Sequence, residues 1–324
     1  MTARAPRYAV GVDLGGTKTA AGVVSAEGSL LFAETAATPS AEGARAVVRS
    51  VSALVRGLLR RAVAEGISVS GLGVGSAGVI DAEAGVVVSA TDVIPGWAGT
   101  RLASELAERT GLPTSAVNDV HAHALGEAWG GAAAGASSSL LLAFGTGVGG
   151  SFVAGGRPLL GHRWVAGHAG HIPSPYAYDD GAPLACVCGG AGHVEAIASG
   201  PALREAYVRS GGSSLAKDAR AVADLARAGD PLAARAVAVA ARAAGQAAGG
   251  LANVLDPEVV IVTGGLAAAG ALWWDAMESA FRAELMPPLA ELPLRRAALG
   301  PVAAVVGAAR LVLAPLPIPT EATL

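Results

Sequence analysis

Two stretches lying far apart in the chain follow the same plan. YAVGVDLGGTKTAAGVV begins at Tyr8 and SSLLLAFGTGVGGSFVAGG at Ser138, and in each a strand-length apolar run meets a glycine turn from which a second strand departs. A hairpin is the natural reading of either one. Together they constrain the whole chain to two related halves, each with a turn built for close approach to something else. The intervening segments alternate accordingly. An amphipathic helix is expected from about Glu42 to Glu65, and SVSGLGVGSAGVID reads as a strand entering a glycine loop. TRLASELAERTGLP reads as a helix closed by Gly111 and Pro113, and TSAVND as a short strand entering a helix from about Val120 to Gly130. Beyond residue 193 the pattern is mostly helical to Asp256, then gives the buried strand EVVIVTGG, a final helix in GPVAAVVGAARLVL and a Pro-rich tail read as disordered. Strands alternating with helices make this an α/β chain.

With 324 residues the chain has room for two domains. The net charge of −3 leaves no broad basic surface for a nucleic-acid backbone, so a small or neutral ligand fits better. The start, MTARAPRYAVGVDLGG, reads as neither signal peptide nor membrane anchor, because its apolar run is only strand-length before Asp13. AVAVAARAAGQAAGGLANVL is interrupted by Arg242 and Gln246 and reads as a buried helix, so no membrane partner is expected. The two cysteines, Cys186 and Cys188, are separated by one residue and cannot form a relaxed disulfide; a reducing, cytoplasmic setting follows.

Three glycine turns end strands. In Asp13-Leu14-Gly15-Gly16-Thr17-Lys18-Thr19 the glycines let backbone N–H groups face an anion, and Thr17 adds a hydroxyl. Gly145-Thr146-Gly147 has the same character, while Gly264-Gly265 would let a flat ring lie against the backbone. Asn118-Asp119 closes a strand and opens a helix, where an acidic residue serves either as a helix cap or as a base. The segment from Gly167 to His193 holds three of the six histidines and both cysteines in one loop broken by Gly and Pro.

DLGGTKT, GVGSAGVID, VNDVHAHALGE, AFGTGVGG, AGHAGH followed by CVCGGAGHVEAIASGPAL, and VIVTGG occur in the order and approximate spacing of the ROK family, which comprises sugar kinases and related repressors. This resemblance covers almost the whole chain. It implies the actin-like ATPase (ribonuclease H-like) fold, with two α/β domains around a cleft: a small domain over 1–117, rejoined by a helix at about 302–315, a large domain over 118–301, and the tail at 316–324. It further implies ATP with Mg²⁺ on one side and a hexose on the other. Asp13, Gly15, Gly16, Thr17, Lys18, Gly145, Thr146 and Gly147 would face the phosphates, and Gly264 and Gly265 the adenosine. Asp119 would be the catalytic base, while Gly78, Asn118, His168, His171 and Glu195 would line the sugar. The family motif of a His followed by CxCGxxGC appears here with His193 in place of the last cysteine. The implied structural zinc site is therefore His171, Cys186, Cys188 and His193, a chemically sound Cys₂His₂ set. His121, His123 and His162 are assigned no work. Family repressors carry a DNA-binding module ahead of the first glycine turn, whereas twelve residues precede Asp13 here; a kinase without nucleic-acid contact is expected, as a homodimer. ATP and polyphosphate both present phosphates to such turns.

One substitution bears on the sugar. ROK glucokinases usually have glutamate in the pattern AGExGH, where this chain has His168. Neutral imidazole offers one donor and one acceptor, so it can donate to a carbonyl oxygen such as that of an N-acetyl group. AGHxGH followed by VEAIASG resembles bacterial N-acetylmannosamine kinases, whereas IPGWAG, Ile94 to Gly99, resembles the glucokinase and N-acetylglucosamine kinase branches. Phosphorylation of the 6-hydroxyl of N-acetylmannosamine is the expected reaction, with glucose or N-acetylglucosamine as alternatives.

Overall fold

The computed structural model describes residues 8–313; the tail expected to be disordered lies outside them. The chain forms two compact units. The first comprises Met1–Gly135, Gly155–Ala166 and Ala298–Leu324, and the second Ala136–Ala154 and Gly167–Ala297.

In the first unit, β1 (Tyr8–Leu14), β2 (Lys18–Ser25) and β3 (Leu30–Ala37) form an antiparallel meander, followed by α1 (Ala44–Ala64), β4 (Val69–Ser76), a small hairpin of β5 (Val79–Asp81) and β6 (Val86–Ser89), α2 (Leu102–Thr110), β7 (Thr114–Asn118) and α3 (Asp119–Gly130). The sheet order is β3-β2-β1-β4-β7, with β4 parallel to both β1 and β7. Helix α1 buries Val47, Val48, Val51, Val55, Leu58 and Ala62, the stripe expected of a helix covering a sheet. Helix α2 stops where Gly111 takes the left-handed conformation, as the Gly and Pro signals predict.

The second unit opens with β8 (Ser138–Phe144) and β9 (Val148–Ala154), again an antiparallel hairpin, and continues through α4 (Glu195–Ala198), α5 (Gly200–Arg209), α6 (Ala219–Arg227) and α7 (Pro231–Leu255). Then come β10 (Val260–Thr263), α8 (Ala271–Glu284) and β11 (Leu294–Arg296). Strands β9-β8-β10-β11 are neighbours, with β10 parallel to β8 and β11. The two hairpins singled out in the sequence thus occupy equivalent places, each antiparallel pair leading into parallel strands. Helix α7 begins on an Asp230 side chain that accepts from the Leu232 and Ala233 amides, with Pro231 at the first helical position. It is long but strewn with alanine and glycine, and no helix among the described residues is long and apolar enough to cross a membrane.

The last helix, α9 (Ala303–Leu313), belongs to the first unit. It lies so close to β1 and β4 that a Cβ on Gly11 would come within 1.9 Å of the Val305 carbonyl oxygen, and one on Gly73 within 1.7 Å of that of Ala308. Buried Glu127 on α3 ties down its approach, accepting the amides of Ala298 at 3.0 Å and Leu299 at 2.8 Å, as well as that of Ala132 at 2.7 Å.

Candidate active site

In each unit the candidate residues gather at the carboxyl ends of parallel strands, where open α/β sheets collect their ligands. In the first unit, Asp13 lies near the end of β1, and Gly15, Gly16 and Thr17 make the turn into β2, with Lys18 as the first strand residue. The turn closes through the Gly15 amide on the Lys18 carbonyl at 3.1 Å. Its remaining carbonyls are held by the segment after β3. The Thr38 hydroxyl donates to Gly15 O at 2.8 Å, the Thr38 amide to Thr17 O at 3.0 Å, and the Ser40 hydroxyl to Gly16 O. Thr38 and Ser40 escaped the sequence reading; only their hydroxyls, just past β3, hinted at them.

Gly15 and Gly16 both have ordinary negative φ, so a left-handed turn does not explain them. A Cβ at Gly16 would approach Val93 Cγ1 to 2.7 Å, from the loop that contains IPGWAG. That loop is anchored by buried Trp97, whose indole N–H donates to Ala77 O at 3.2 Å. The next residue, Gly78, has φ +102°, and its carbonyl accepts from Asn118 Nδ2 at 3.0 Å.

Asn118 also caps α3, its Oδ1 accepting the Val120 amide at 2.9 Å. The cap is therefore Asn118, and Asp119 stands at the first helical position with its own Oδ1 on the same amide at 2.9 Å. Asp13 pairs with Gly75 of β4, and a Cβ on Gly75 would come within 3.5 Å of Asp119 Cα. Two carboxylates thus share one neighbourhood. Burial first, and the Asp119 charge second, push the Asp13 carboxyl up to about 6, while Lys18 pulls the other way. A cation is the natural complement of such a pair.

In the second unit Gly145, Thr146 and Gly147 join β8 to β9, and Gly264 and Gly265 follow β10. Gly264 has φ +94° and sits against Phe144, where a Cβ would meet the carbonyl oxygen at 2.3 Å. Gly265 is different. Its φ is ordinary and a Cβ there would have nothing within 4 Å, so neither backbone conformation nor protein packing requires glycine. Gly145 has nearly as much room, with only Gly265 N at 3.9 Å. Glycine beside open space suits a surface kept clear for a ligand.

The cysteine loop brings His171, Cys186, Cys188 and His193 together, with their ligand atoms all within 4.8 Å of one another. Cys186 Sγ lies 3.6 Å from His171 Nδ1 and Cys188 Sγ 3.3 Å from His193 Nδ1. Tetrahedral zinc, with its usual bond lengths to sulfur and nitrogen, sets an S···N edge of about 3.5 Å. The donor set and its spacing therefore fit such an ion, with the cysteines as thiolates. Burial pushes the Cys186 thiol up, so metal binding would have to displace its proton. His168, exposed, stands beside the set with its ring 6.0 Å from that of His171. Glu195 begins α4 two residues past His193, and its carboxylate accepts the Val148 amide at 2.7 Å. Of the unassigned histidines, His121 is buried, His162 is exposed, and His123 has a buried Nε2 without a hydrogen-bond partner.

Two α/β units that repeat one strand plan, each with a glycine turn at a strand end, define the class as the actin-like ATPase fold. The chain belongs to the ROK family, whose profile matches residues 9–314. It is 33% identical to a glucokinase of Thermotoga maritima over 86% of this chain and 88% of that one. Identity is 31% with an N-acetylmannosamine kinase of Escherichia coli, over 80% and 83%. Among solved structures, the ROK hexokinase from Thermus thermophilus superposes with a TM-score of 0.80 at 38% identity, covering 93% of this chain and 96% of that one. The ROK family glucokinase from Streptomyces griseus, in complex with glucose and AMPPNP, gives 0.77 at 33%, covering 94% and 98%. The likeness to glucokinases is thus stronger than that to the N-acetylmannosamine kinase, against the order expected from AGHAGH.

Proposed function

We propose that the protein is a sugar kinase that transfers the γ-phosphoryl group of ATP to the 6-hydroxyl of a hexose, with glucose as the foremost substrate. The observation that carries the reading is the pair Asp13 and Asp119, set beside a braced glycine turn. In the reaction the sugar oxygen bonds to phosphorus as the bond from phosphorus to the ADP oxygen breaks, and the hydroxyl proton passes to the Asp119 carboxylate. Asn118, pinned between Gly78 O and the Val120 amide, holds that carboxylate's helix in place. Each turn is read as a phosphate-receiving element of its own unit: Asp13, Thr17, Lys18 and the neighbouring amides in the first, the amides of Gly145–Gly147 in the second; Mg²⁺, when bound, would offset the charge gathered at the Asp13 and Asp119 carboxylates. The clear surfaces at Gly145 and Gly265 support a nucleotide donor, as does the AMPPNP bound to the Streptomyces griseus relative.

His171, Cys186, Cys188 and His193 would hold a structural zinc ion that fixes the loop bearing His168 and Glu195. The thiols, free in this chain, suit a reducing cytoplasm. N-acetylmannosamine is the second reading, supported by one observation: His168 is exposed beside the proposed clasp, and neutral imidazole could donate to an N-acetyl carbonyl. A coupled assay with ATP or polyphosphate against glucose, mannose, N-acetylglucosamine and N-acetylmannosamine tests both readings. Higher kcat/KM for glucose supports the first and higher kcat/KM for N-acetylmannosamine the second. Absence of turnover with every sugar overturns the kinase assignment.

A further inference from the structure

We infer that Glu195 is a positioning residue for the nucleotide as well as a residue of the sugar loop, because its carboxylate braces the turn Gly145–Val148. The inference rests on the reading that this turn receives phosphates. Glu195 Oε2 accepts the Val148 amide at 2.7 Å, and a Cβ on Gly147 would stand only 2.8 Å from the same oxygen. The turn's other end is held by the same segment: the Gly200 amide donates to Gly145 O at 2.8 Å. Within the turn the Gly145 amide donates to Gly147 O at 2.9 Å.

The opposite flank of the ligand loop reaches the same strand end. Gly170, immediately before His171, lies against Val148 so closely that a Cβ would meet its carbonyl oxygen at 2.4 Å, and that Cβ would also stand 3.2 Å from Glu195 Cβ. Val148 is thus gripped from both sides of the His171 to His193 loop. A hydrogen bond from a backbone amide to a carboxylate is charge-assisted, among the stronger kinds available to a protein. Deleting it frees the end of the turn and turns its amides into poorer anion ligands. The arrangement makes one loop answerable to two substrates: what fixes Glu195 for the sugar also shapes the turn for the nucleotide.

A residue that touches only the sugar leaves nucleotide affinity untouched when no sugar is present. The test is calorimetric titration of sugar-free protein with AMP-PNP and Mg²⁺, paired with amide hydrogen exchange of the peptide containing Val148. Glu195→Ala is expected to weaken AMP-PNP binding about tenfold and to speed exchange at Val148. Glu195→Gln, which keeps an acceptor oxygen, is expected to bind AMP-PNP within about twofold of wild type. Unchanged AMP-PNP affinity in Glu195→Ala overturns the inference alone, as does a Gln variant as weak as Ala. A wild-type protein that ignores AMP-PNP overturns the nucleotide reading and this inference with it.

Discussion

The two glycine turns look alike in sequence and are held in opposite ways. The turn after β1 is braced from within its own sheet: Thr38 and Ser40, just past β3, engage the carbonyls of Gly15, Gly16 and Thr17. The turn after β8 is braced from outside its hairpin, by Glu195 and Gly200, which lie beyond a loop of mostly irregular backbone. The first support is regular structure with a core beneath it. The second depends on a segment whose order we attribute to a metal clasp. The proposed chemistry sits with the first kind of support and the proposed sugar selection with the second.

The sharpest way to break this division is to remove the base. Asp119→Asn is expected to lower kcat by about 10³-fold while leaving AMP-PNP affinity and the unfolding temperature near wild type. A variant with near wild-type kcat removes Asp119 from the mechanism. The clasp comes next. Cys188→Ser, which removes a direct ligand, is expected to weaken metal binding by more than the roughly 10- to 100-fold that loss of an outer-shell partner costs, and to raise KM for both sugar and nucleotide, with far less effect on kcat at saturation. Metal content per chain and paired KM values check this, and full activity in demonstrably metal-free protein removes the clasp from function.

A smaller effect is expected at the sugar. His168→Glu should shift the ratio of kcat/KM toward glucose over N-acetylmannosamine by about tenfold, the scale of one hydrogen bond with a well-placed partner. No shift in that ratio separates His168 from the sugar.

The smallest effect tests the first turn through pH. The folded Asp13 carboxyl titrates at about 6, above its ordinary 3.8. The fold therefore bears the cost of ionising it above pH 6 and is free of that cost below about 4. Asp13→Asn should stabilise the ligand-free protein by about 1–2 kcal/mol at pH 8 and by much less at pH 4. Thermal unfolding at the two pH values reads the difference, and an equal gain at both places the effect outside titration.

Much of the scaffold was legible because its signals were local. Helix α1, the Gly111 stop of α2, the strand into Asn118 and the two hairpins all follow from short-range period and punctuation. Other parts carried no such signal. Helix α8 begins after Gly270 with no side-chain cap and holds Trp273, Met277 and Phe281 in the core, a pattern too sparse to register. Strand β11 spans three residues, two of them arginine, and is a strand only because β10 lies beside it. The proposed ligand set, whose four donor atoms lie within 4.8 Å of one another, was readable because zinc chemistry limits which residues can take part. Thr38, Ser40 and the tie between Glu195 and Val148 were not, since their side-chain hydrogen bonds join residues 23, 24 and 47 positions apart and leave no local pattern.

The close seat of α9 bears on how the chain is made. Val305, Ala309 and Leu313 complete a buried cluster with Ala9 and Val24, and the backbones of Gly11 and Gly73 leave room for nothing but that helix. A ribosome delivers α9 more than 280 residues after β1. Domains usually fold in the order in which they emerge, but here the second unit has all its strands and helices before the first unit receives its last. The sheet of the first unit must wait, one flank uncovered, until α9 emerges, so a unit begun before the second is completed only after it.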